Sequence, residues 1–111
     1  MSISADILRG HTDAIILAQL MAGDSYGYEI NRSIQERTAG AYGFKEATLY
    51  TAFKRLAQNG FITSYWGDDG PGARRRYYAI TDAGRELFMQ ALQEWAATRA
   101  VLDALITVKG D

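Results

Sequence analysis

The chain has 111 residues, no cysteine, one proline, and 12 basic against 13 acidic residues for a formal charge of −1. That length closes one hydrophobic core and leaves no material for a second domain, and 48% hydrophobic with 23% charged residues is the composition of an ordered globular chain. The missing cysteines exclude a disulfide framework, a thiolate zinc site and a cysteine nucleophile; the near-zero charge, taken whole, argues against a polyanionic partner, whose attraction depends on counterion release.

The longest apolar stretch, Ala14 to Ala22, is broken by Gln19 and falls well short of the roughly 20 residues of a membrane span. The start, MSISADILRG, lacks the basic region of a secretory signal, so a cytoplasmic protein without membrane association is expected. Glycines at Gly23, Gly40, Gly43, Gly60 and the run Gly67 to Gly72 punctuate the chain. Before the first of these, roughly Ile7 to Ala22, the residues Ile16, Leu17, Leu20 and Met21 have helical spacing, and Gly23 ends the helix. Asp24 or Ser25 is the expected N-cap of a second helix whose stripe is Tyr26, Ile30 and Ile34, ending near 38–40. A third helix, Glu46 to Asn59, buries Leu49, Phe53, Leu56 and Ala57 and stops at Gly60, a residue suited to the left-handed C′ position.

The texture then becomes β-like. Phe61 to Trp66 and Arg76 to Ile80 are rich in aromatic and β-branched residues, and Gly67 to Gly72 between them is turn chemistry, which predicts a hairpin. Thr81 caps a last helix, with Asp82 in its first turn where the macrodipole favours an acid. Uninterrupted to about Val108, it would run about 39 Å at 1.5 Å per residue. Its Phe88, Leu92, Trp95, Leu102 and Ile106 form a seam for another helix, so a homodimer is expected.

Helix, helix, third helix, hairpin is the order of a winged helix-turn-helix. The expected fold is therefore mainly α with a small β-hairpin, residues 1–80 forming the DNA-binding part and 81–111 a dimerisation helix of the same compact unit. Opposite its buried side, the third helix presents Ala47, Thr51, Lys54, Arg55 and Gln58, flanked by Thr48 and Tyr50. Small hydroxyls and cations in this order suit base edges and phosphates in a DNA groove, although a solvated helix face looks the same. The hairpin adds Arg74, Arg75 and Arg76, which as isolated features also serve as edge charges. From Lys45 to Thr81 there are six cations and three anions, a surplus of +3 that leaves −4 on the rest. The positive end falls where a recognition helix and wing would lie. A winged-helix module that binds protein instead of DNA is the alternative.

The run Glu46-Ala-Thr-Leu-Tyr-Thr-Ala-Phe-Lys-Arg-Leu56, then Ser64-Tyr-Trp-Gly-Asp68, then Arg74-Arg-Arg-Tyr-Tyr78 and Thr81 resembles the PadR family of bacterial transcriptional regulators. Within it, the chain is similar to the short, LmrR-like subfamily of multidrug-binding repressors, from about Leu8 to Leu105. The resemblance implies a homodimeric repressor on double-stranded DNA, with the N-terminal helix joining the last helix in the dimer interface. Thr48, Leu49, Tyr50, Lys54 and Arg55 match the recognition-helix motif, with Leu49 assigned to packing, and Arg74 to Tyr77 match the wing. The expected DNA-contacting residues are Lys45, Thr48, Tyr50, Thr51, Lys54, Arg55, Arg74, Arg75, Arg76 and Tyr77. Tyr26 and Tyr28, at the start of the second helix, are divided between core packing and a phosphate contact.

On its own residues, Trp95 reads as a core or interface side chain. The resemblance implies instead that it lines an interface pocket for flat aromatic molecules, with Ile7, Gly10, Ala14, Leu17, Ala18, Phe88, Ala91, Leu92 and Arg99 around it. The small residues leave volume beside the indole, as a planar ligand requires, while Phe88 narrows the space. Arg99 stands where the subfamily carries an acid, so the expected ligand is a flat neutral or anionic aromatic. His11, the only histidine, has no second nitrogen or thiolate beside it for a metal and reads as a surface or cap residue. No nucleophile, base or phosphate-binding loop assembles from these residues, so neither an enzyme nor a bound cofactor or metal is expected.

Overall fold

Residues 5–68 and 74–108 are described by the computed structural model. They form α1 (Ala5–Arg9), α2 (Thr12–Met21), α3 (Gly27–Arg37), α4 (Glu46–Gln58), β1 (Ile62–Asp68), β2 (Arg74–Ile80) and α5 (Asp82–Ile106). This mostly helical chain, with one antiparallel hairpin and a long last helix, is the expected winged helix-turn-helix. Residues 69–73, most of the expected turn, lie outside the described residues. Gly67 and Asp68 belong to β1, and Arg74 and Arg75 to β2, so both strands run further than their aromatic residues indicate.

The first helix differs from expectation, because it is two. At Gly10 and His11 the chain turns: the His11 N–H donates to the Leu8 carbonyl at 2.9 Å, and the Thr12 hydroxyl donates to the Arg9 carbonyl at 3.1 Å. A glycine inside a helix costs about 1 kcal/mol relative to alanine, and Thr12 supplies the oxygen that closes the break. The second start differs too. Tyr26, with extended backbone, is the N-cap of α3, and no side chain caps it. Ser25 instead extends the sheet, exchanging backbone hydrogen bonds with Tyr78 at 3.1 and 2.7 Å, while its hydroxyl donates to Glu29 Oε1 at 2.7 Å. Asp24 accepts from the Tyr65 hydroxyl at 2.7 Å. Both side chains are thus turned to other partners, and the cap position falls to Tyr26.

Other joints follow their local chemistry. Gly60 takes φ +79°, the Phe61 N–H reaches the Leu56 carbonyl at 2.9 Å and the Gly60 N–H the Ala57 carbonyl at 3.1 Å, a Schellman stop. Thr81 caps α5 by accepting from the Gly84 N–H at 3.1 Å, and its hydroxyl donates to the Gly60 carbonyl at 2.7 Å. One side chain thus ties the end of α4 to the start of α5.

The core joins Ile16, Leu17 and Leu20 of α2, Ile30 and Ile34 of α3, Phe44, and Leu49, Ala52, Phe53 and Leu56 of α4 to Ile62 and Tyr78 of the hairpin. The Phe53 and Tyr78 rings stack at 3.9 Å. Early in α5, Leu87 and Phe88 pack against this core; from Leu92 to Val108 every residue is exposed. At 1.5 Å per residue the part of α5 beyond Trp95 extends by roughly 16 Å, with Val101, Leu102, Leu105 and Ile106 exposed. Among the described residues no helix is long and apolar enough to cross a membrane.

Candidate nucleic-acid interface

The start of α4 is set by a side chain acting as a strand. Asn31 donates Nδ2–H to the Phe44 carbonyl at 2.9 Å and accepts the Phe44 N–H on Oδ1 at 2.7 Å. The connection from α3 is thereby pinned one residue before Lys45, the N-cap of α4. With Leu49, Ala52, Phe53 and Leu56 buried, the helix exposes Lys45, Ala47, Thr48, Tyr50, Thr51, Lys54, Arg55 and Gln58. Two of these have intramolecular partners. Tyr50 packs edge-on against Phe53, and its hydroxyl lies where a Cβ on Gly27 would come within 2.8 Å, so a glycine at the start of α3 makes room for it. Arg55 forms an ion pair with Asp13 of α2. Both partners are roughly half exposed, and such a pair contributes at most about 1 kcal/mol, little enough for a phosphate to displace.

The strand register pairs Trp66 with Arg76, Gly67 with Arg75 and Asp68 with Arg74. Because side chains alternate across a strand, Arg74 and Arg76 share one face with Trp66, and Arg75 lies on the other with Tyr65 and Tyr77. Arg75 places its guanidinium 4.8 Å from the Tyr26 ring centre, Tyr26 meets Tyr77 edge-on at 5.4 Å, and Tyr77 stacks on Tyr65 at 5.6 Å. The Tyr77 ring also crosses Gly67, where a Cβ would fall 2.2 Å from it. The hydrogen bond to Asp24 holds the Tyr65 phenol above its ordinary pKa. Helix α4 and the hairpin meet at Tyr78: burial raises its phenol pKa, opposed by the nearby Arg76 charge and assisted by Tyr50. The hairpin is thus joined to the buried side of α4 through the Phe53–Tyr78 stack. Tyr26 is half-buried in the hairpin cluster, whereas Tyr28 is exposed.

On the far side of α2, an apolar groove of about 310 Å³ opens between α1, α2 and α5. Ile7, Ala14, Ala18, Phe88, Ala91, Leu92 and Trp95 line it, joined by Leu8, His11 and Ile15. Gly10 and Arg99 are not among its lining residues, and Leu17 is fully buried in the core. His11 meets Trp95 edge-on at 5.4 Å, which makes an imidazole the one ionisable side chain of the lining. Among the described residues no three His, Cys, Asp or Glu side chains cluster as metal ligands would.

Sequence reasoning did not single out Asp13, Trp66 or Gly84, nor His11 as a neighbour of Trp95. Each acts through a partner 8 to 84 positions away, Asp13 through Arg55, Trp66 through Arg74 and Arg76, Gly84 through Phe61, His11 through Trp95. No local pattern carries such information; a known hairpin register would have found Trp66.

Residues 16–90 match the model of the transcriptional regulator PadR-like family. The chain is similar to a solved transcriptional regulator from Clostridium thermocellum, 46% identical over 95% of this chain and 99% of that one, with a TM-score of 0.87. It is 30% identical to the negative transcriptional regulator PadR of Bacillus subtilis over 72% of this chain and 42% of that protein. It thus spans less than half of that regulator's length. Bacillus subtilis PadR solved in complex with operator DNA superposes with a TM-score of 0.65 at 28% identity, over 72% of this chain and 45% of that one. The matched segment covers more than half of the chain and contains the whole of α3, α4 and the hairpin, and the chain belongs to the PadR-like family of transcriptional regulators.

Proposed function

We propose that this protein is a repressor that binds operator DNA as a homodimer through α4 and the hairpin, and that a flat aromatic molecule in the groove beside Trp95 controls it. The observation that supports the DNA reading is that α4 and the arginine-bearing hairpin are packed together through Phe53 and Tyr78 while Lys54, Arg74 and Arg76 stay exposed. Phosphate contacts position such a protein and the small hydroxyls of Thr48 and Thr51 approach base edges. The Bacillus subtilis relative, solved on operator DNA, supports the same reading. Pairing is favoured by the distal part of α5, where Val101, Leu102, Leu105 and Ile106 are exposed; residues 81–111, with the N-terminal helix, then join the copies while the rest of 1–80 faces DNA. The groove, apolar except for His11, suits a neutral or anionic planar ring laid against the indole.

Sedimentation in the presence of 2-naphthoate tests pairing and ligand together. The expected boundary has twice the chain mass of 12.3 kDa and carries naphthoate absorbance, and Trp95→Ala keeps the mass but loses the absorbance. A monomer boundary contradicts the pairing; a dimer that carries no naphthoate contradicts the ligand site.

A further inference from the structure

Trp66 is a large aromatic placed where core packing does not use it: it is 56% exposed, on the part of the hairpin that extends past Ile62 and Tyr78. What it touches is charged. The guanidinium of Arg74 lies over its ring at 5.5 Å from the centroid and that of Arg76 at 5.8 Å. Arg76 is held further by Ser64, whose hydroxyl oxygen accepts from Nε at 3.1 Å and from Nη2 at 2.9 Å. Ser64, Trp66, Arg74 and Arg76 all belong to one face of the hairpin by the strand register. Two like charges drawn to one place repel each other, and the negative face of an indole is what makes the arrangement favourable.

A guanidinium stacked on a ring is restrained in orientation but keeps the donors around its edge, which is the edge a phosphate binds. A solvated, freely rotating arginine must be ordered on binding, at a cost that preorganisation removes. We infer that Trp66 is a positioning residue for DNA binding: it holds Arg74 and Arg76 as a paired phosphate clamp on one face of the wing. This inference rests on the DNA reading proposed above and adds to it a residue that bears no charge and need not touch the nucleic acid.

The test is a titration of fluorescein-labelled duplex, taken from the region upstream of the protein's own gene, across several salt concentrations. Trp66→Leu is expected to weaken binding about fivefold to tenfold, the worth of two exposed cation–π contacts, with the salt slope unchanged because both cations remain. Trp66→Phe, which keeps a ring face, is expected within about twofold of the parent protein. The double substitution Arg74→Ala/Arg76→Ala should cost less in the Trp66→Leu background than in the parent, which isolates the coupling. Thermal melts of the Trp66 variants are expected to match the parent, and the Trp66→Phe rescue separates positioning from hairpin stability should the leucine variant melt early. Equal binding by Trp66→Leu and parent, or an arginine cost independent of residue 66, overturns the inference while leaving DNA binding intact. A parent protein that binds no duplex overturns the function and the clamp together.

Discussion

Gly84→Ala is expected to destabilise the protein by about 2–4 kcal/mol, far more than one methyl group would suggest. A Cβ at this position would stand 2.1 Å from the Phe61 carbonyl oxygen and 2.7 Å from Ile80 Cγ1. The obstruction is backbone, and that backbone is already committed: the Phe61 carbonyl accepts the Thr81 N–H at 3.1 Å, and Thr81 is bonded to both Gly60 and Gly84. Relief by shifting α5 would break the cap, worth about 1 kcal/mol, and tilt the helix that carries Phe88 and Trp95. For a chain of this size the melting midpoint should fall by roughly 10–20 °C. Gly10→Ala is the control, since a Cβ there meets nothing within 4 Å, and its effect should stay within about 1 kcal/mol. Urea or thermal denaturation of the two variants decides the matter, and a Gly84→Ala midpoint within two or so degrees of the parent, as a small surface change would give, refutes the joint as described.

Lys54→Ala combined with Arg74→Ala is expected to have the largest effect on DNA binding. Each cation that neutralises a phosphate contributes about 0.9 to the slope of log affinity against log salt. In a homodimer the pair of substitutions removes up to four such contacts, lowering the slope by roughly 3–4 units and the affinity at 0.1 M salt by about 10³-fold. Arg55 should behave differently. Its guanidinium is already paired with Asp13, so Arg55→Ala is expected to cost less than Lys54→Ala. Asp13→Asn, which removes an acid and releases that guanidinium, should strengthen binding a few-fold. Salt-dependent titrations of the four variants check the ordering; an Arg55 loss equal to that of Lys54 means the Asp13 pair does not restrain it.

These outcomes also explain what was legible before any coordinates. Gly60 and Thr81 announced the end of α4 and the start of α5 because stops and caps are set by residues within one helical turn. The exposed face of α4 was legible for the same reason, since Leu49, Phe53 and Leu56 fix its orientation by spacing alone. Gly10 reads as a small groove residue of one continuous helix, and the break there is hidden by the apolar helical pattern around it, although the hydroxyl of Thr12 is at hand to close it. Ser25 read as a cap because serine favours caps, but pairing with Tyr78, 53 positions away, won its backbone. Of the groove, Ala14, Ala18, Phe88, Ala91, Leu92 and Trp95 are legible in the sequence, Ile15 is not, and Leu17 and Arg99, expected there, do not line it. One residue, a step of about 100° round the helix, separates the groove residue Ala18 from the core residue Leu17, and the packing angle of α5 on α2, which a sequence does not reveal, decides between them.

The net charge of −1 hides the division on which the account depends. Lys54, Arg74, Arg75 and Arg76 are exposed at the end where α4 and the hairpin meet, while the acids lie largely elsewhere. The most direct test of that division is fluorescence anisotropy on two duplexes of equal length and composition, one from upstream of the protein's own gene and one scrambled. A preference of at least about 10³-fold for the upstream duplex is expected near 0.15 M salt, with affinity for both falling steeply as salt rises. Equal, weak binding to the two duplexes would contradict it and would leave the winged helix as a module for a protein partner.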